Sequence, residues 1–288
     1  MLKGTSTALI TPFTNDEIDF KALEKLLEYQ LNGNVNSLVV LGTTGEPATM
    51  TQEEKISVVR FVVDYVGGRL PIIVGAGSNS TTQAIDNCLL YSDLGADGLL
   101  MVTPYYNKCT QLGLVEHFTK VAEKISLPII LYNVPGRTGV NMLPETFATL
   151  AELDNIVAIK EASGNMEQIE ECIRLTRGKA DVISGDDGLT VPIMLMGGCG
   201  VISVASNLLP RYVSTMTDCT LNGDIKTAVD MQLKLLPVVR GLFSEVNPIP
   251  VKAGAEILGL CSGDLRLPLT RLTEKNRIIL EGLLQDFV

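Results

Sequence analysis

Length, composition and charge bound the fold and the partners of this chain. Its 288 residues, 46% of them hydrophobic, are enough for one large domain or two ordinary ones. Lysine and arginine number 23 against 33 acidic residues, which gives a net charge of −10, and the sequence contains no basic block. We therefore expect neither a nucleic-acid partner nor an anionic membrane partner.

Cysteine and histidine usage exclude further classes of protein. The six cysteines have no paired short spacing, no apolar signal segment precedes the first strand pattern, and no apolar stretch of membrane-spanning length is uninterrupted. These features predict a reduced, cytoplasmic protein. Because His117 is the only histidine, a metal site built on several imidazoles is impossible, and a Ser/His/Asp hydrolase would need a residue from mid-helix.

Eight short, apolar, β-branched runs recur along the chain and predict eight strands. They cover residues 6–10, 37–41, 71–74, 98–102, 128–132, 156–160, 181–184 and 200–204. Segments with helical periodicity separate them, and one begins at Thr51, where Glu54 completes a capping box. This alternation predicts an α/β fold, a closed (β/α)8 TIM barrel with its active site at the carboxyl ends of the strands.

The chain continues well past the eighth predicted strand. Helical patterns over residues 225–243, 249–258 and 274–287 predict an all-helical C-terminal extension. No linker or low-complexity tract separates these patterns from the barrel. We predict a catalytic barrel over residues 1–224 and a helical extension over residues 225–288.

Lys160 closes the apolar run of the sixth predicted strand, which has the pattern of a strand buried on both faces. Burial disfavours the ammonium form, so the amine becomes nucleophilic near neutral pH and can condense with a ketone as a Schiff base. The alternative is a lysine just past the strand end, with its ammonium in solvent or paired to Glu161. The preceding strand ends in Tyr132, with Arg137 five positions on, and this coincidence favours catalysis.

Hydroxyl groups follow two other predicted strands. The turn over residues 42–46 (GTTGE) carries two threonines that can hold a carboxylate or relay a proton, although an ordinary turn leading into a helix is the alternative. Residues 103–107 (TPYYN) add two tyrosines, whose phenols can donate and accept protons. Tyrosines near strand ends are more often packing residues, and only the coincidence of several such groups indicates a site.

The seventh predicted strand is followed by Gly185, Asp186 and Asp187. Many barrels bind phosphate at this position, and two carboxylates would repel a phosphate. We therefore expect an unphosphorylated substrate. The alternative is that both acids face solvent or cap the next helix.

Three of these segments together resemble a known family. Residues 42–46, 132–139 (YNVPGRTG) and 159–162 (IKEA) are similar to the 4-hydroxy-tetrahydrodipicolinate synthase (dihydrodipicolinate synthase) family, part of the pyruvate-dependent class I aldolase superfamily that includes N-acetylneuraminate lyase. The likeness runs end to end, including residues 247–252 (NPIPVK) in the extension. It implies condensation of pyruvate with L-aspartate 4-semialdehyde to 4-hydroxy-tetrahydrodipicolinate and water, an early step in diaminopimelate and lysine biosynthesis.

The resemblance also implies roles for single residues, a covalent imine in place of any cofactor, and a homotetramer built as a pair of dimers. The expected catalytic residues are the Schiff-base Lys160 and the proton-relay residues Thr43, Tyr132 and Tyr106, the last supplied by a neighbouring subunit. The expected substrate-binding residues are Thr44 for the pyruvyl carboxylate, Arg137 for the semialdehyde, and Gly185 and Ile202 lining the pyruvate site through their backbones.

Two other functions compete with this one. The first is an aldolase that cleaves a sialic acid or a 2-keto-3-deoxy sugar acid with the same lysine. Arg137 and the paired Thr43 and Thr44 argue against it, because a fixed cation suits the carboxylate of an amino-acid semialdehyde better than a polyhydroxylated chain. The second is a catalytically dead barrel that binds a small amino acid, which the complete set of reactive residues disfavours.

Regulation by L-lysine is the last expectation. Lysine-inhibited relatives bind L-lysine at the dimer interface. This chain keeps three of the matching residues, Ala48, Asn79 and Tyr105. At three other positions it has Gln52, Lys55 and Gln83, where such relatives carry imidazoles and a carboxylate. The change removes an acceptor for the effector's ammonium and adds a positive charge. We therefore expect insensitivity to L-lysine.

Overall fold

A closed parallel barrel of eight strands lies at the centre of the protein. The computed structural model describes residues 3–287. Its strands are β1 (Gly4–Ala8), β2 (Phe13–Thr14), β3 (Glu17–Ile18), β4 (Ser37–Val40), β5 (Ile72–Gly75), β6 (Gly98–Val102), β7 (Ile129–Asn133), β8 (Ile156–Glu161), β9 (Asp181–Ser184) and β10 (Gly200–Ser203). Strands β2 and β3 form a small antiparallel hairpin. Each of the other eight pairs with the next in the chain, and β10 pairs with β1 to close the ring.

Helices connect the barrel strands, cover their outer faces and form the C-terminal extension. They are α1 (Phe20–Asn32), α2 (Gln52–Val66), α3 (Thr81–Asp93), α4 (Gln111–Ala122), α5 (Pro135–Thr138), α6 (Pro144–Leu150), α7 (Met166–Thr176), α8 (Thr190–Leu195), α9 (Pro210–Leu221), α10 (Ile225–Leu242), α11 (Ile249–Ile257) and α12 (Glu274–Leu284). The predicted TIM barrel is confirmed. The capping box at the start of α2 is also present, with the Glu54 amide donating to Thr51 Oγ1 and the Thr51 amide donating to the Glu54 carboxylate.

The first strand begins and ends two residues earlier than predicted, at Gly4–Ala8 instead of residues 6–10. Polar side chains hide this strand in the sequence. Its hydroxyl residues Thr5, Ser6 and Thr7 are all buried, and they form hydrogen bonds with Thr217, Ser37 and Gln30, respectively. Beyond the strand, the amide of Ile10 donates to the side chain of Asn207 and not to a neighbouring strand.

The C-terminal extension consists of α10, α11 and α12, as predicted. Its apolar side chains share one cluster with the barrel: Val251 of α11 and Leu280 of α12 are fully buried in the same group as Ile10 and Val201. This packing fixes α11 against the loops at the carboxyl ends of the strands. None of the helices in the described part of the chain has the length and apolar character needed to cross a membrane.

Candidate active site

A cavity of about 470 Å³ lies at the carboxyl ends of β4 to β7. The loops after these strands and the C-terminal extension form its walls. Thr43, Tyr132 and Arg137, which were predicted to act together from separate parts of the sequence, all line it. The cavity thus lies where the barrel fold predicts a site.

Lys160 lies beside Tyr132 on neighbouring strands, since the two residues are register partners of β8 and β7. Its side chain is buried, with 6% of the residue exposed, and its Nζ is 4.3 Å from the centroid of the Tyr132 ring. Burial lowers the pKa of Lys160 from 10.5 to about 8; the negative charge of Asp187 raises it, and the positive charge of Arg137 lowers it. The predicted buried amine is therefore present, and the solvent-exposed alternative is wrong.

Glu161 does not pair with Lys160. It is fully buried and accepts hydrogen bonds from the side chains of Asn133 and Gln168 and from the amide of Ser163. Successive side chains of a strand point to opposite faces of the sheet, so Glu161 lies outside the barrel when Lys160 lies inside it. Within the described residues, Lys160 forms no ion pair.

Tyr132 joins the lysine to the loop after β4. Burial raises the pKa of its phenol, while the positive charge of Arg137 and a hydrogen bond to the Thr43 side chain lower it. Thr43 begins a 3-10 turn, Thr43–Gly45, directly after β4. A phenol bonded to a hydroxyl beside a buried amine has the geometry needed to move protons to and from that amine.

Asn247 in the C-terminal extension connects two other predicted site residues. Its side-chain amide donates to Thr44 Oγ1 at 3.0 Å, and its backbone carbonyl accepts a hydrogen bond from the Arg137 guanidinium at 3.1 Å. Thr44 is buried, and Arg137 is in the short helix α5 that follows Tyr132. The motif that contains Asn247 was identified in the sequence, but no role was predicted for this residue.

Gly185 and Ile202 lie on the inner side of the barrel near the lysine. A Cβ added at Gly185 would be 3.1 Å from Lys160 Cε and 2.8 Å from Ala162 Cβ, so a side chain there would crowd the amine. Ile202 is buried in the inner cluster that also contains Tyr132. Both positions therefore border the space in which a small ligand on Lys160 would lie.

Tyr106 is the one predicted site residue that the structure does not bring to the others. It is 89% exposed, in the left-handed region with φ 73°, and it is not among the described residues that line the cavity. Its own chain therefore leaves this phenol in solvent.

The two acids after β9 have different environments. Asp186 caps the turn that follows, since its carboxylate accepts a hydrogen bond from the Gly188 amide, as the alternative for these acids expected. Asp187 is buried and accepts hydrogen bonds from Ser203 Oγ and the amides of Val204 and Ala205. Burial raises the pKa of Asp187. The effect of Asp187 on Lys160 was not predicted, because the sequence gives no reason to distinguish Asp187 from Asp186.

The model of the dihydrodipicolinate synthetase family matches residues 1–286. The chain belongs to this family. The 4-hydroxy-tetrahydrodipicolinate synthase of Caldicellulosiruptor bescii is 51% identical over 288 residues, which is 100% of this chain and 97% of the relative. That of Geobacter sulfurreducens is 47% identical over 287 residues, 100% of this chain and 99% of the relative.

Solved structures of the dihydrodipicolinate synthetase family have the same fold. A crystal structure of dihydrodipicolinate synthase from Thermotoga maritima aligns with a TM-score of 0.98 at 43% identity and covers 99% of this chain and 98% of the other. The family predicted from three short segments is confirmed. The names of these relatives also agree with the predicted synthase activity and not with a sugar-acid aldolase.

Proposed function

We propose that this chain condenses pyruvate with L-aspartate 4-semialdehyde, with Lys160 as the Schiff-base nucleophile. One comparison within the structure carries the proposal. Two lysines are buried among the described residues: Lys252 forms an ion pair with Glu46, whereas Lys160 forms none, and burial lowers the pKa of Lys160 to about 8. A buried, unpaired amine beside Tyr132, whose side chain lines the cavity, is suited to attack a carbonyl.

The reaction begins when the neutral amine of Lys160 attacks the ketone carbon of pyruvate. The carbinolamine loses water to give an imine, and this is the water that appears as a product. Tyr132 carries protons during these steps, with Thr43 as its hydrogen-bonded partner. Thr44 binds the pyruvyl carboxylate, and Gly185 and Ile202 shape the space around it.

The second half of the reaction forms the carbon–carbon bond. The imine withdraws electrons, so the methyl group loses a proton and the resulting enamine attacks the aldehyde carbon of the semialdehyde. Arg137 holds the carboxylate of that substrate with its planar guanidinium. The substrate amine then attacks the imine carbon, which closes the ring and releases the amine of Lys160.

Tyr106 completes the relay from a second copy of the chain. The family resemblance suggests this role, and the exposure of 89% supports it, because a phenol in solvent is accessible to a neighbouring molecule. We assign the active assembly as a homotetramer built from two dimers and place it in the cytoplasm. The barrel, residues 1–224, carries the reactive residues without a cofactor, and the extension, residues 225–288, supports them.

Reductive trapping tests the nucleophile and the first substrate together. Pyruvate followed by borohydride should leave one stable adduct per chain, and peptide mapping should place it on Lys160. Lys160→Met is the matched variant and should give no adduct while it keeps the fold. An adduct on Lys252 or another lysine would overturn the mechanism, as would a folded protein that forms none.

Product assays separate the synthase from the two competing functions. Pyruvate release from N-acetylneuraminate or a 2-keto-3-deoxy sugar acid would identify a sugar-acid aldolase. Binding of an amino acid without imine formation on Lys160 would identify a catalytically dead barrel. We expect consumption of L-aspartate 4-semialdehyde that depends on pyruvate, and neither of the other results.

A further inference from the structure

A buried ion pair joins the C-terminal extension to the loop after β4. The ammonium of Lys252 in α11 donates to Glu46 Oε1 at 2.6 Å, and the side chains are 0% and 1% exposed. The pair belongs to neither the proton relay nor the substrate contacts described above. Its two residues are 206 positions apart in the sequence.

Glu46 holds the backbone of this loop in an unusual conformation. It lies in the left-handed region, with φ 56° and ψ 38°, between the turns Thr43–Gly45 and Pro47–Thr49. Leu41, at the start of the same loop, also has φ 56°. Non-glycine residues adopt this conformation at a cost and keep it only where surrounding contacts enforce it, which occurs most often at functional sites.

The surroundings of Lys252 provide those contacts. Its Nζ lies 4.2 Å from the centroid of the Phe13 ring, and the Arg266 guanidinium carbon lies 4.4 Å from the same ring. The backbone amide of Arg266 donates to the other carboxylate oxygen of Glu46 at 3.5 Å. The carboxylate of Glu46 is thus held from two sides by the last part of the chain.

A buried ion pair is weak evidence for a stabilising role. The cost of removing both charges from water offsets much of their attraction, and well-packed apolar residues of similar size are often equally stable. Burial lowers the pKa of Lys252, which reflects this cost, although the charge of Glu46 opposes the shift. An ion pair with a hydrogen bond fixes the relative position of its two charged groups, whereas an apolar contact does not.

We propose that Glu46 and Lys252 are a positioning pair that fixes the loop after β4, so that Thr43 reaches Tyr132 and Thr44 reaches the pyruvyl carboxylate. Neither residue is among the catalytic or substrate-binding residues assigned above, although Glu46 is one of the residues that line the cavity. The proposal rests on the function proposed above, because it assigns the pair a role in pyruvate capture. Arg137 stands on a different loop, so binding of the semialdehyde is not the step that the pair controls.

The test replaces both charges at once, with Glu46→Leu and Lys252→Met in one chain. This double variant keeps the volume of the pair and leaves no single charge buried. The control is Lys226→Met, which breaks a surface pair whose side chains are 88% and 61% exposed. Three quantities are measured: the rate of pyruvate capture by borohydride trapping, the number of adducts per chain at long times, and the steady-state constants.

We expect the double variant to reach the same number of adducts per chain as the unaltered protein but to form them at least about tenfold more slowly. The kcat should fall by a similar factor and KM for pyruvate should rise, while KM for the semialdehyde stays within about twofold. A merely structural role would lower the number of adducts per chain and leave the rate of the remaining folded molecules unchanged. Either that result or unaltered capture would overturn the positioning role.

A second variant keeps the proposal testable if the double variant does not fold. Glu46→Gln retains the shape of the side chain but has one accepting oxygen in place of two, so it cannot accept from both the Lys252 ammonium and the Arg266 amide. Slower capture at full stoichiometry would support the proposal, and unaltered capture would overturn it. If the unaltered chain traps no pyruvate on Lys160, the proposed function fails. If the unaltered chain and the variant capture pyruvate at the same rate, only the positioning role of the pair is refuted.

Discussion

Capture of pyruvate should follow the titration of Lys160, because only the neutral amine attacks a ketone. Burial lowers the pKa of this residue from 10.5 to about 8. At pH 7 about one-tenth of the amines are then neutral, against about 3 in 10,000 for an ordinary lysine, a difference of roughly 300-fold. The low pKa thus makes the residue usable in the physiological range.

The assay is single-turnover capture at saturating pyruvate, quenched with borohydride at intervals and followed by mass spectrometry. The rate should rise about tenfold for each pH unit below about pH 8 and level off above it. Asp187 raises the pKa of Lys160, so Asp187→Asn should move the plateau to lower pH, and Asp186→Asn, one residue earlier, is the matched control. A rate in the unaltered protein that still climbs tenfold per unit near pH 10 would refute the reasoning.

Three further predictions concern Arg137, Tyr106 and the effector. Arg137→Ala should reduce kcat/KM for the semialdehyde by roughly 10- to 100-fold, the worth of a charged hydrogen bond, with pyruvate trapping retained; loss of trapping would place Arg137 in the first-substrate site. Mixing inactive Lys160→Ala chains with inactive Tyr106→Phe chains should restore part of the activity, and no recovery despite proven subunit exchange would contradict the cross-subunit role. L-lysine should not inhibit, because at the effector positions Lys55 adds a positive charge and Gln52 and Gln83 leave one acceptor fewer for the effector's ammonium; saturating partial inhibition in a lysine titration would show the opposite.

The barrel could be predicted from the sequence because most of its strands are apolar on both faces. The run ending at Lys160 and the run ending at Tyr132 are of this kind, and their register follows from the parallel order. The first strand was misplaced because its buried residues are polar, and only the folded chain supplies partners such as Gln30 for Thr7. The hairpin over Phe13–Ile18 has strands of two residues each, which leave no periodic pattern.

The predicted site shows where sequence reasoning ends. Reactive residues at strand ends could be identified because the barrel brings strand ends together, as it does for Lys160 and Tyr132. The partners that orient them could not be identified in this way. Asn247 reaches Thr44 across 203 positions, and Asp187 differs from Asp186 in its burial and its hydrogen-bond partners. Such contacts depend on how the last helices pack against the barrel, which local patterns do not encode.

The hydrogen bonds from Asn247 to Thr44 and from Lys252 to Glu46 depend on residues that are translated late. A ribosome completes the eighth barrel strand at Ser203, well before either anchor has been made. The loop after β4 therefore lacks these supports until the last part of the chain has been made, and chemical competence is acquired last. A messenger with a stop codon just after α9 would encode all eight strands and every reactive side chain assigned to the site. Such a product would lack both anchors and the apolar partners that the last helices give to Ile10 and Val201, so it should turn over little substrate although it contains every assigned side chain.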